Sequence, residues 1–123
     1  MNNDYGKYPW IDEFCLAMVG AEKDFSVDWG ATRYLIRSKI FAMVTTDKEG
    51  RSIASLKLVP ENGLMAREQF KDIIPGYYMN KDHWNSIYLE GDVPDDTLKE
   101  MLTEAHGLIL KSFSKKAQVE IMG

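Results

Sequence analysis

The segment Tyr77-Tyr78-Met79-Asn80-Lys81-Asp82-His83-Trp84 concentrates aromatic rings, an amide, a cation and an imidazole in eight residues. Rings interleaved with basic side chains can stack nucleobases and contact phosphate. Alternatively, Tyr78, Asn80, Lys81, His83 and Trp84 converge as a polar-aromatic pocket for an anionic group. A third reading packs Tyr78 and Trp84 into a core while Asn80 and His83 hydrogen-bond a turn that presents Lys81. A second candidate region runs from Thr32 to Leu58. It carries Arg33, Arg37, Lys39, Lys48, Arg51 and Lys57 against only Asp47 and Glu49, a local balance of +4 in a chain whose net charge is −4. Such a run suits phosphate contacts, or a solvated strand surface that resists edge-to-edge pairing.

The patterns that carry catalysis or metals are missing. The two histidines, His83 and His106, are far apart, and no HExxH, CxxC or acidic calcium loop occurs. The nine glycines are scattered singly, so no phosphate-cradling loop is formed. Cys15 and His83 could pair as a thiol nucleophile and base, but Cys15 sits in a core-facing helical stripe. Asp12-Glu13 and Asp95-Asp96 are sequence neighbours on predicted helices, where adjacent side chains diverge. The expectation is a non-enzymatic binding domain with no metal and no cofactor.

The elements that must position these residues follow from periodicity. Ile11, Phe14, Cys15, Met18 and Val19 recur at helical spacing within Tyr8–Val19, and Gly20 is a natural stop. The stretch around Glu22–Asp28 reads as a polar connection. Thr32–Ile36, Ile40–Thr46 and Ser52–Val59 read as three strands joined by two hairpins. In the first of them Arg33, Leu35 and Arg37 share one face and Tyr34 and Ile36 the other. Pro60 opens a second helix to about Lys71, with Leu64, Phe70 and Arg67 facing inward. Ile73-Ile74-Pro75-Gly76 turns the chain, and Tyr77–Met79 and Trp84–Leu89 read as two more strands. A last helix follows Pro94, with Leu98, Met101, Leu102, Ala105, Leu108, Ile109 and Phe113 at helical spacing. Lys111, Lys115 and Lys116 lie near its negative end, and the tail after Ala117 gives no firm pattern. The order α-β-β-β-α-β-β-α predicts an α+β domain, a mostly antiparallel sheet with helices packed on it.

At 123 residues the chain has the size of one domain, with a core over about residues 8–114. No apolar run approaches the length of a membrane span, so no membrane partner is expected. Met1-Asn2-Asn3-Asp4 lacks the basic and apolar regions of a signal peptide. A lone cysteine excludes an internal disulfide and fits a reducing cytoplasm.

The same residues carry a family resemblance. Phe14-Cys15-Leu16 with Gly20-Ala21-Glu22, Asp28-Trp29 with Ala31-Thr32, Phe41-Ala42-Met43-Val44, Ser55-Leu56-Lys57 and above all Pro75–Leu89 resemble the MmcQ/YjbR family of small bacterial proteins. The Asn-Lys-x-His-Trp core of the last segment is its most recognisable motif, and the likeness runs from about residue 11 to 113. The resemblance implies an α-β(3)-α-β(2)-α architecture and a DNA-binding role through a double wing of β-hairpins, with no enzymatic activity or cofactor. In that role Arg33, Arg37, Lys39, Lys48, Arg51, Lys57 and Lys81 would contact phosphates. The alternative is an adaptor for a protein or small anion that uses the Tyr78–Trp84 turn. One departure is visible: Ala105-His106 stands where relatives tend to have Ser-Tyr.

Overall fold

The computed structural model describes residues 4–123, so Met1, Asn2 and Asn3 of the N-terminal reading lie outside it. Its elements in chain order are α1 (Ile11–Leu16), β1 (Ala21–Ser26), β2 (Ala31–Ile36), β3 (Lys39–Thr46) and β4 (Ser52–Lys57). Then come α2 (Pro60–Gln69), β5 (Ile73–Pro75), β6 (Trp84–Tyr88), α3 (Asp95–Lys111) and α4 (Lys115–Met122). The strands form one antiparallel sheet in the order β1-β2-β3-β4-β6-β5. Among the described residues no helix is long and apolar enough to cross a membrane.

Alternation along the strands makes the two faces of this sheet different. Tyr34, Val44, Ala54, Leu56 and Ile87 turn toward α1 and α3, where Ile11, Cys15, Leu98, Leu102 and Ala105 close the core. Each large side chain buried there contributes about 2 kcal/mol through removal of its surface from water. Cys15 is fully buried, and burial, aided by the nearby Asp12 charge, pushes its thiol up to about 12. It packs as a small hydrophobe on the helical side, remote in role from the exposed His83.

One carboxylate ties α1 to two strands. The Tyr34 hydroxyl donates to Asp12 Oδ1 at 2.7 Å, Lys23 Nζ of β1 donates to the same oxygen at 2.9 Å, and the Tyr5 and Tyr34 hydroxyls are 2.7 Å apart. Burial pulls the Asp12 carboxyl upward, but the hydrogen bonds from Tyr34, Lys23 and Tyr5 outweigh it and hold the group below its ordinary value.

The meander β2-β3-β4, the helix α2 and the long helix α3 match the sequence reading, and the structure adds and shifts the rest. Ala21–Ser26, read as a connection, is the edge strand β1. Its charged residues are exposed, which suits a strand with one neighbour and blunts further pairing. The first helix, Ile11–Leu16, is six residues shorter than the Tyr8–Val19 stretch its apolar spacing suggested, and Gly20 at φ +72° then turns the chain into β1. Leu64 faces solvent instead of the interior. The reason is that α2 approaches the sheet through Gly63, where a Cβ would lie 2.9 Å from Asn85 Oδ1. The inward stripe is therefore Gly63, Ala66, Arg67 and Phe70, and Arg67 donates to the buried Asn85 side chain. Ile73–Pro75 is a strand instead of a turn, and Tyr77–Met79 is loop instead of strand. The tail forms α4, capped by Ser114 Oγ accepting from Ala117 N–H at 3.1 Å.

The Asp12 network generates a stability prediction. Tyr34→Phe keeps the ring in the core and removes the hydroxyl, so it should lower unfolding free energy by about 1–3 kcal/mol. Urea unfolding followed by circular dichroism measures this, and a variant as stable as the parent would show that the network adds nothing.

Candidate functional site

Among the described residues no helix covers the second face of the sheet, which bears Arg33, Met43, Thr45, Ser55 and Ser86 in register across β2, β3, β4 and β6. What covers its middle is the loop of residues 76–83. After Pro75 the chain reverses at Gly76, whose N–H donates to Trp84 O at 2.7 Å, and it then crosses to the far end of the sheet. There Tyr77 N–H donates to Ser86 Oγ at 3.1 Å, and the Tyr77 hydroxyl accepts from Lys48 N–H at 3.1 Å. The Tyr78 hydroxyl donates to Thr46 O at 2.9 Å, and the two tyrosine rings meet edge to face at 4.6 Å.

The dense chemistry of this segment is largely consumed by its own turn. Asn80 Oδ1 accepts from the N–H groups of Asp82 at 2.9 Å and His83 at 3.3 Å, an Asx turn. Lys81 Nζ donates to the Gly76 carbonyl at 2.8 Å. Trp84 is buried on β6, and the His83 ring is exposed. These five side chains therefore do not converge on one concavity. Tyr78 alone of them, with Met79, lines a groove of about 420 Å³ whose other walls are Asp28, Trp29 and Ala31 and whose floor is Met43 and Thr45. The volume is that of a small-ligand site.

The basic residues are placed at two opposite ends of the strands. Eight-residue β3 separates them by about 25 Å. At one end the β2–β3 turn carries Arg37 and Lys39, β4 ends on Lys57, and Lys81 and His83 flank the start of β6. Lys39 Nζ reaches Ser112 Oγ at 3.0 Å and lies 4.5 Å from the Phe113 ring, so the end of α3 joins this surface. Lys48 and Arg51 belong to the other end, in the β3–β4 turn. Arg33 sits mid-strand on the open face, held by both nitrogens on Asp24 at 2.7 Å.

Three of the arginines are matched by carboxylates. Besides Arg33, Arg37 pairs with Glu120 at 3.2 Å, and Arg51 pairs with Asp47 at 2.8 Å and Glu49 at 3.3 Å. Among the described residues Lys48 and Lys57 have no ion pair, and neither do Lys111, Lys115 and Lys116. The last three lie at the C-terminal end of α3 and the start of α4. Trp29, Met43, Thr45 and Met79 of the groove escaped the sequence reading as site residues. A tryptophan among polar residues at Ser26–Gly30, outside any apolar period, was the available signal for the first.

His106 lies on the helical side of the sheet. Its Nε2 donates to Val19 O at 2.7 Å and its ring meets Phe41 edge-on at 5.3 Å. Ala105 is buried beside it. The Ala105-His106 departure thus concerns how α3 holds the α1–β1 connection, on the face away from the loop of residues 76–83.

With this geometry in place, comparison with known proteins is direct. The YjbR family model matches residues 16–108. The chain belongs to the YjbR family. It is 38% identical over 86 residues to the uncharacterised protein YjbR of Escherichia coli K12, covering 70% of this chain and 72% of that protein. The uncharacterised protein YbdF of Escherichia coli O157:H7 is 28% identical over 88 residues, covering 72% of this chain and 71% of its own length. Among solved structures, Deinococcus radiodurans protein DR2400 matches with a TM-score of 0.82 at 24% identity, over 98% of this chain and 91% of that one. A Pseudomonas syringae protein matches with a TM-score of 0.67 at 19% identity, over 89% and 99%. These two likenesses establish the shared fold. The matched span includes both Asp28-Trp29 and the loop of residues 76–83.

The β3–β4 turn that anchors this loop is organised by Asp47. Its Oδ1 accepts from the N–H groups of Glu49 and Arg51 at 2.9 Å, and its side chain is 1% exposed. Burial pulls this carboxyl upward, but the Arg51 and Glu49 hydrogen bonds and the Arg51 charge hold it below its ordinary value. A carboxyl lowered in the folded state binds its proton more tightly when unfolded, so its stabilisation exists above the unfolded value and is lost as pH falls through the folded one. Stability should therefore be flat from about pH 7 to pH 5 and fall below about pH 4, where Asp12 and Asp47 protonate. Urea midpoints across that range measure it, and Asp47→Asn should shallow the decline. A midpoint that rises on acidification would contradict the assignment.

Proposed function

We propose that this YjbR-family chain is a non-catalytic nucleic-acid-binding domain that docks by one end of its sheet. The support is a segregation of charge along the strands. One end gathers Arg37, Lys39, Lys57, Lys81, Lys111, Lys115 and Lys116, with Glu22, Glu61, Asp82, Glu104 and Glu120 as its acids. The opposite end carries Asp28, Asp47, Glu49, Asp72, Glu90, Asp92, Asp95 and Asp96 against Lys7, Lys48, Arg51 and Lys71.

The observation that carries the reading is the start of α4. Lys115 and Lys116 occupy its first turn with no acid there, so two cations sit at the positive end of a helix. That placement is unfavourable in the isolated chain and becomes favourable once a phosphate backbone approaches. This reading keeps Arg37, Lys39, Lys57 and Lys81 from the sequence-based set. It replaces Lys48 and Arg51, which face away, and Arg33, which is held on Asp24 in mid-strand, with the three lysines of α3 and α4. Phosphate contacts of this kind position a protein without reading sequence.

Fluorescence anisotropy on a short labelled duplex tests it. About four phosphate contacts predict a loss of roughly a hundredfold in affinity between about 50 and 200 mM salt. Replacing Lys111, Lys115 and Lys116 with alanine should cut the salt slope by about two to three, while Lys48→Ala/Arg51→Ala leaves it unchanged. No binding at low salt, or equal loss from both sets of variants, defeats the proposal.

A further inference from the structure

The groove on the open face lies at the acidic end, away from the proposed nucleic-acid surface, and its chemistry is different. Trp29 and Tyr78 are 52% and 53% exposed, yet neither is a loose side chain. Tyr78 is fixed by its hydroxyl on Thr46 and its edge contact with Tyr77. The Trp29 backbone N–H donates to Ser26 Oγ at 3.2 Å in the β1–β2 turn, and its ring lies against the Arg33 guanidinium. Two rings held half-exposed across an apolar floor of Met43 cost solvation that core packing does not recover. Asp28 stands at the rim, and among the described residues its carboxylate has no ion-pair or hydrogen-bond partner.

Aromatic faces with a carboxylate beside them attract cations and repel anions. The ring of Trp29 already demonstrates this preference, because the Arg33 guanidinium lies 5.2 Å from its centroid. That guanidinium is neutralised by Asp24 and leaves Asp28 unmatched. A guanidinium suits the remaining space better than an ammonium. It is flat enough to stack against an aromatic ring, and it has in-plane N–H donors for a carboxylate. Asp47 and Glu49 of the neighbouring turn are already paired with Arg51, so the unmatched charge offered to a basic segment is that of Asp28.

We propose that this groove binds an arginine side chain presented by an extended, basic segment of a partner protein. The guanidinium stacks on the aromatic walls and pairs with Asp28, while the methylene stem lies on Met43 and Met79. This assignment goes beyond the nucleic-acid reading and stands or falls independently of it.

The test uses the full chain labelled with ¹⁵N and a capped peptide of about eight residues holding a single arginine in an alanine–serine host. Saturable shifts at the Trp29 indole and the Tyr78, Met43 and Met79 amides are expected. Affinity should drop about tenfold when the peptide arginine becomes glutamine, and severalfold when it becomes lysine. Asp28→Asn and Trp29→Ala alter exposed groups and should each weaken binding severalfold to tenfold with an otherwise unchanged spectrum. Shifts that instead track the Asp92–Asp96 region, equal binding of the glutamine or lysine peptide, or no groove shifts at millimolar peptide would each overturn the proposal.

Discussion

Gly76 lies so close to Trp84 that a Cβ on it would be 2.7 Å from the Trp84 Cβ and 2.9 Å from its carbonyl oxygen. No other residue could bring the chain back across β6 at that distance without displacing backbone. The open face depends on this contact. Because the chain reverses there, the loop of residues 76–83 lies flat on the sheet, delivers Tyr77 onto Ser86 and the β3–β4 turn, and leaves Tyr78 as one wall of the groove. The other wall comes from a different constraint, the β1–β2 turn at Ser26–Gly30, held in place by the Arg33–Asp24 pairing across the two strands. A ring from each of two separate loops meets over β3 because the β1–β2 turn lies at the acidic end and the loop of residues 76–83, which leaves β5 at the basic end, crosses the open face to reach it.

The helical face is held by different means. There the Asp12 carboxylate gathers donors from Tyr34, Lys23 and Tyr5, and His106 closes the connection to α1 through Val19. At the far side of the same face α4 rests on Gly20, where a Cβ would lie 2.4 Å from Ile121 Cγ2. That contact positions the lysines at the start of α4 beside the end of α3. Close backbone approach at three glycines, Gly20, Gly63 and Gly76, thus settles where α4, α2 and the crossing loop sit.

The parts of the fold legible in the sequence were those where one face is buried and the other is not. Thr32–Ile36, Ile40–Thr46 and the Leu98–Ile109 stripe show their period because burial enforces it. The edge strand β1 lacks that enforcement, and its Glu22, Lys23 and Asp24 read as a connection. Tyr77–Met79 looked like a strand because strands favour aromatics, yet these rings serve to clamp a loop. Of the site, the chemistry of residues 78–84 was visible but its satisfaction was not. Whether Asn80 and Lys81 face outward or bond Asp82, His83 and Gly76 depends on a chain reversal that composition does not encode. The charge excess of Thr32–Leu58 was legible as a sum, whereas its division between two ends required the strand directions.

That division has a mechanical consequence. Positive charge at one end of the strands and negative charge at the other give the molecule a permanent electric moment running along β3. In the field of any extended polyanion such a body experiences a torque before it makes contact, within a Debye length of about 10 Å. It turns its α3–α4 corner inward and its aromatic groove outward. A chain adsorbed in that orientation displays Trp29 and Tyr78 on its outer surface, where they are sterically free to meet a second molecule while the first is still held.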